Sequence, residues 1–428
     1  MAAFLASLAQ TPPAVCGMAV AMLGNGWESH GNVNALSDEP RSAREERRAL
    51  QSSVRDRGAI PLLAASLNQP EPCVRRAAAR LLGNSYLAEA GKSLRDALRH
   101  SQARVREAAA LGLGVREDPA AYDALVAALG DDDIEVVRMA AWAVGQFEDS
   151  RAVQPLSRLT SHTNPGVRKA AALALGEIED ARAVKSLLPL LRDADAEVRE
   201  AAAVALGEIA DKSATSGLTQ ALGDRVPEVR LAAVEALGQI EDPRATGPVA
   251  ELLRDGSRDI RQAAAEALGQ MEDKGSVPAL TRALQDSDAE VRAAAASALG
   301  QIEDQSAAAA LGRALADPVV EVRREAASAL GRLEDLHHAP AGLITALNDQ
   351  DQKLRALAAE ALGSIADPAT IPALAATMKD ENVEVRRHAV EALGQIEDDA
   401  VTPHLVAAMK DPDSEVRRRA AEGLGNRN

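Results

Sequence analysis

Aromatic residues are scarce in this chain: two each of Phe, Tyr and Trp among 428 residues. A closed core of that size is normally filled with more large rings, so thin two-layer packing of Leu, Val, Ile and Ala suits the composition better than one globular core. Cysteine is nearly as rare, with only Cys16 and Cys73. Two thiols cannot form a disulfide framework; they fit a reducing compartment, the cytoplasm, and read as small helix residues. No apolar run reaches the length of a membrane span. The apolar start, Met1 to Ala21, lacks the basic region and the small-residue cleavage site of a secretory leader. Excess positive charge is also missing. The formal net charge of −16 argues against general nucleic-acid binding, which needs a basic face.

Chemical motifs are missing as well. None of the seven histidines is followed by Glu, and there is no H-E-x-x-H. Gly91-Lys92-Ser93 hints at a phosphate loop, but Tyr86 stands where the upstream glycine is required. His337-His338 reads as a solvated inter-helix loop rather than a metal site. No catalytic constellation emerges, and no cofactor or metal is expected.

What is present is a period. Glycine recurs at 83, 114, 145, 176, 207, 238, 269, 300, 331, 363, 394 and 425, in steps of 31 with one step of 32. A fixed period of this size means stacked helical units that cannot bury their apolar faces alone. In the unit Asp180 to Glu208, Val184, Leu187, Leu188 and Leu191 give a first helix, A, one apolar face. Asp195 is the expected N-cap of a second helix, B, from about Ala196 to Ile209. Equivalent caps are Asp133, Asn164, Ser257, Asp288, Asp351, Asn382 and Asp413, and Pro165 and Pro227 fall at the first helical position. A glycine in the last turn of a helix costs ~1 kcal/mol against Ala. Repetition in one register calls for a steric reason, most simply close approach of the next repeat's helix A.

A charge register accompanies the glycines. Arg occurs eight residues before them, at 75, 106, 168, 199, 230, 261, 292, 323, 355, 386 and 417. Asp occurs six residues before that register at 131, 193, 224, 255, 286, 317, 349, 380 and 411. These charges could pair within a unit or as a ladder along the repeats, and so many copies read as structure rather than catalysis. Val137 replaces one Arg, with Arg138 beside it, and His100 and His162 replace two Asp.

The phrase D-x-x-x-E-V-R-x-A-A-A-x-A-L-G-x-I-x-D-x-x-A-V resembles HEAT-like repeats of the phycobilisome-lyase type, and is similar to the consensus of artificial alpha-helical repeat proteins. The resemblance covers residues 54–428. It implies an all-α fold, an alpha-alpha superhelix (a HEAT/armadillo-like solenoid), with A helices outside and B helices lining the concave face. It does not imply lyase chemistry, since the module occurs in unrelated proteins. The expected organisation is a truncated repeat over 1–24, an insertion of loop plus basic helix over 25–53, and twelve repeats forming one solenoid over 54–428.

Function is sought where the repeats differ. All aromatics lie in the first 147 residues. Five positions after the ladder Arg, successive repeats read Arg80, Leu111, Trp142, Leu173, Val204, Glu235, Glu266, Ser297, Ser328, Glu360, Glu391 and Glu422. The polar later residues imply an exposed position, so Leu111, Trp142, Leu173 and Val204 read as an exposed apolar strip, flanked by Arg138 and Lys169. Exposed apolar patches with Trp and Arg mark partner sites. The expectation is a non-enzymatic scaffold that holds a protein or peptide helix there. The alternative is a bilin-lyase-like or other accessory enzyme acting on a tetrapyrrole or a partner protein.

Overall fold

The computed structural model describes residues 56–425, with Met1 and Leu5. The expected truncated repeat over 1–24 and the insertion over 25–53 thus lie outside the described residues, apart from those two positions. The described chain is all-α, with 24 α-helices, short 3-10 turns between them and no strand. It groups into two units, Met1–Ala214 and Thr215–Asn428.

Each repeat is a helical hairpin whose local geometry follows from its turn residues. Asp180 accepts the backbone N–H of Arg182 at 2.9 Å and opens the 3-10 turn Ala181–Ala183. Helix A is then α-helical only over Val184–Leu187 and tightens to a 3-10 helix over Leu188–Arg192. Pro189 explains the change, because it has no N–H for an i→i−4 bond. The tighter turn rotates Leu190 inward, where Leu188 was expected; Leu187, Leu190 and Leu191 are buried and Leu188 is half-buried.

Helix B spans Ala196–Ile209, with Asp195 accepting from Glu197 and Val198 N–H at its start. Asp133, Asn164, Asp288, Asp351, Asn382 and Asp413 cap in the same way. Ser257 makes no side-chain cap bond, contrary to expectation. Pro165 and Pro227 open their helices. Several B helices close on a residue in the left-handed region, such as Glu241 at φ 50°. Gly is favoured there, and Glu carries a cost of roughly 1 kcal/mol.

The repeated glycines explain how neighbouring hairpins fit, and they correct one expectation. A Cβ added at Gly145 would lie 3.0 Å from Ala174 Cα, and one at Gly300 would lie 2.8 Å from Ala329 Cα. Ala174 and Ala329 belong to the next repeat's helix B, not its helix A. The bare glycine therefore lets consecutive B helices touch backbone to backbone. Leu125, Leu156, Leu187, Leu218 and Leu280 from the A helices are wholly buried beside them. Burying each such side chain contributes about 1.5–3 kcal/mol, which offsets the cost of the helical glycines.

The charge register settles into one geometry. Arg261 donates through Nη1 to the Asp255 carbonyl at 3.0 Å, in its own turn. Its Nε and Nη2 clamp the carboxylate of Asp286, in the next repeat, at 2.8 and 2.9 Å. The same two-oxygen clamp joins Arg106 to Asp131 and Arg168 to Asp193 in the first unit. In the second it joins Arg230 to Asp255, Arg292 to Asp317, Arg323 to Asp349, Arg355 to Asp380 and Arg386 to Asp411. The Arg323 pair spans the single 32-residue step without losing its geometry; the extra residue lies in 333–340, with His337 and His338, before the helix Ala341–Ala346.

Candidate interaction surface on the B helices

Trp142 lies in the helix Ile134–Gly145, begun by the Asp133 cap. The register that was expected to expose it instead buries it. Trp142 is 7% exposed and Leu111 6%, while Leu173 and Val204 are half-buried. The cause is the glycine of the preceding repeat. A Cβ on Gly114 would sit 2.7 Å from Trp142 Cζ3, so the indole lies across the bare backbone of the neighbouring B helix. A ring long enough to reach that floor is covered by it. Within the first unit, the strip is thus closed at Leu111 and Trp142 and partly open at Leu173 and Val204. In the second unit Glu235, Glu266, Glu360, Glu391 and Glu422 are exposed at this register, and Ser297 and Ser328 are half-buried.

The flanking cations are engaged by carboxylates. Arg138 pairs with Glu135 at 2.9 Å, one turn back on its own helix. Lys169 Nζ lies 2.9 Å from Glu197 Oε2 of the next repeat. Both pairs are solvent-exposed, so each is worth at most about 1 kcal/mol and can be exchanged for a partner's groups. In the second unit the equivalent face is ion-paired within itself: Arg419 with Glu391, and Arg418 with Glu415 and Glu422.

Two features of the first unit escaped the sequence reading. Tyr122 and Phe147 meet edge to face with centroids 5.5 Å apart, and the Arg151 guanidinium lies 4.4 Å from the Tyr122 ring centre. These aromatics therefore pack internally, as their cluster in the first 147 residues could have suggested. The second is Glu208, whose carboxylate lies over Gly176 as the Gln270, Gln301 and Gln395 amides lie over Gly238, Gly269 and Gly363. Partial desolvation of this carboxylate over the helix, followed by the charges of Glu177 and Glu179, raises its carboxyl to about 7, although the residue as a whole is exposed at the surface. Cys73 is buried in the helix Pro72–Gly83; Cys16 lies outside the described residues. Among the described residues no helix is long and apolar enough to cross a membrane.

Five segments of the chain, 60–144, 123–203, 184–260, 246–331 and 340–425, match the family model for HEAT repeats, and 322–349 matches the PBS lyase HEAT-like repeat. No curated protein sequence matches the chain with significance. Among solved structures, importin beta in an ammonium sulfate condition is similar at 16% identity and a TM-score of 0.62, over 95% of this chain and 66% of that one. Kap95p, solved in connection with its binding of RanGDP, is similar at 14% identity and a TM-score of 0.54, over 97% of this chain and 66% of that one. The chain thus spans just under two thirds of each, and these likenesses show the fold. The CpcE–CpcF complex of phycocyanin lyase from Nostoc sp. PCC7120 is similar at 26% identity, over 55% of this chain and 91% of that one, with a TM-score of 0.34.

Proposed function

The chain belongs to the HEAT repeat family, and from that premise we propose that it is a non-enzymatic scaffold holding a protein or peptide helix on the concave face lined by its B helices, in the N-terminal third. Leu173 and Val204 supply the open apolar contacts. Leu111 and Trp142 form a rigid floor beside them, and Arg138 and Lys169 offer charges at the rim. The observation that carries this reading is the switch in one register, from apolar residues at 111, 142, 173 and 204 to Glu and Ser in every later repeat. Packing does not require the switch, because the same backbone continues with Glu235 and Glu266 exposed. A protein partner also fits the similar Kap95p, whose structure concerns binding of RanGDP.

The test is affinity capture with the full chain against a Leu173→Glu/Val204→Glu double variant and a Glu235→Ala/Glu266→Ala control. Burying a charge in an apolar contact costs several kcal/mol, so the first variant should release the partner while keeping the parent melting curve. Equal capture by all three would sink the site. A coloured adduct in the absorbance spectrum would favour a lyase-type accessory enzyme instead. The proposed compartment is the cytoplasm. The alkylation state of Cys73 in a freshly quenched extract tests it: a free thiol fits the reducing cytoplasm, and an oxidised one counts against it.

A further inference from the structure

Among the described residues, one rung of the charge ladder has its cation and no carboxylate. Arg75 is anchored like the others: Nη1 donates to the carbonyls of Gln69 at 3.0 Å and Pro70 at 2.7 Å. Arg106, one repeat on, anchors Nη1 on His100 and Ser101 carbonyls at 2.9 and 3.0 Å, and its Nε and Nη2 then hold Asp131 at 2.7 Å each. The carboxylate due to Arg75 would stand 25 residues on, where the chain has His100. His100 keeps only half of the aspartate's work. Its Nδ1 accepts the Gln102 N–H at 3.1 Å, as Asp131 Oδ1 accepts the Asp133 N–H at 2.9 Å. A neutral imidazole that accepts through Nδ1 carries its proton on Nε2, so it offers the guanidinium no acceptor.

The other irregular rung shows that this outcome is not forced by the histidine. Where His162 replaces Asp, Val137 replaces Arg, and His162 Nδ1 accepts from Asn164 N–H at 3.0 Å. There cation and anion were lost together, and nothing is left unmatched. At Arg75 the cation stays, half-buried. Among the described residues, the charges acting on it are Glu107, Arg104, Arg76 and Glu71. Glu107 is not hydrogen-bonded to it. Arg104 is turned to Asn68 and Gln102 at 3.0 and 3.1 Å. Burial pushes the Arg75 guanidinium below its ordinary pKa, the direction expected of a cation without its counter-charge.

We propose that the Arg75–His100 rung is a carboxylate-binding site, in which the Nε and Nη2 N–H groups of Arg75 take two oxygens of a carboxylate from outside the repeat. The same edge holds a carboxylate in this manner at Arg106, Arg168, Arg230, Arg261, Arg292, Arg323, Arg355 and Arg386. Planar two-point pairing of this kind is what guanidinium does best. The proposal does not rest on the scaffold reading, since Arg75 is outside the strip.

The experiment uses the full chain with sodium acetate against sodium chloride at constant ionic strength, read by melting temperature and titration calorimetry. Acetate should stabilise the parent protein more than chloride does. His100→Asp fills the rung from within; it should raise the melting temperature by about 2 °C in chloride and lose the acetate effect. His100→Asn keeps the turn acceptor without the charge, and should retain the acetate effect. Arg75→Gln should lose it without the gain in melting temperature. A second arm uses the capped peptide Leu-Arg-Asp-Ala-Asp-Ala, the sequence of residues 191–196. Binding about tenfold tighter than acetate would assign the carboxylate to a protein turn, and equal binding would assign it to a free small anion. If neither probe binds, or if acetate acts equally on parent, His100→Asp and Arg75→Gln, the site does not exist.

Discussion

The two units of this chain run the same hairpin through different constraints. In Thr215–Asn428 the rungs from Arg230 to Arg386 each hold an aspartate, and the helix-B register of the strip is Glu or Ser. In Met1–Ala214 two rungs are irregular, at Arg75/His100 and Val137/His162, and the same register carries Arg80, Leu111, Trp142, Leu173 and Val204. A complete ladder with a polar B-helix face needs nothing but its own repeats. Departure from that pattern, without loss of the B-helix contacts at Gly83, Gly114, Gly145 and Gly176, is what the two proposed binding sites rest on.

The largest expected effect breaks the comparison at Trp142. With the indole covered by the backbone at Gly114, Trp142→Ala should cost about 3–5 kcal/mol of stability, whereas Glu235→Ala at the same register should change it by less than about 0.5 kcal/mol. Denaturant unfolding of both variants gives the numbers. Equal, small effects would return Trp142 to the surface. Next comes the feature common to both units. Gly300→Ala places a methyl 2.8 Å from Ala329 Cα, and should destabilise by about 1–3 kcal/mol despite Ala's better helix propensity.

A similar loss, about 2 kcal/mol, is expected for Arg261→Ala, which strands the half-buried Asp286 carboxylate. Arg75→Ala should cost less than half of that, because no carboxylate is stranded. The hydrogen bonds from Arg261 hold the Asp286 carboxyl below its ordinary range. Its contribution is therefore present above the ordinary Asp pKa of about 3.8 and is lost as the pH falls through the depressed value. The gap between parent and Arg261→Ala should close on acidification, which melting curves from pH 7 downward will show. The smallest effect is at Glu208. Its folded value of about 7 lies above the ordinary glutamate value of 4.5, so its contribution is full below the ordinary value and is lost as the pH rises through 7. Because the residue is exposed and solvent screens part of its charge, Glu208→Gln should stabilise by only about 1 kcal/mol at pH 8, and by nothing measurable at pH 4. A gain of equal size at both pH values would mean that the glutamine packs better rather than that the charge is relieved.

The sequence alone determined the all-α repeat architecture, the limits of helix B at Ala196 and Ile209, the caps at Asp133, Asn164 and Asp195, and the absence of long apolar spans. These are local: a cap, a proline or an apolar period acts within a few residues of itself, and repetition multiplied the signal. Only the tertiary structure decided what lies across from each repeated residue. It assigned the arginines to the next repeat's aspartates, because reach and direction of a guanidinium are not written in spacing. It turned the glycines toward the next B helix rather than the next A helix, because both are a repeat away in sequence. It buried Trp142, which register alone had exposed, because a side chain's accessibility depends on its length and on the neighbour beneath it, and at Gly114 that neighbour has no side chain.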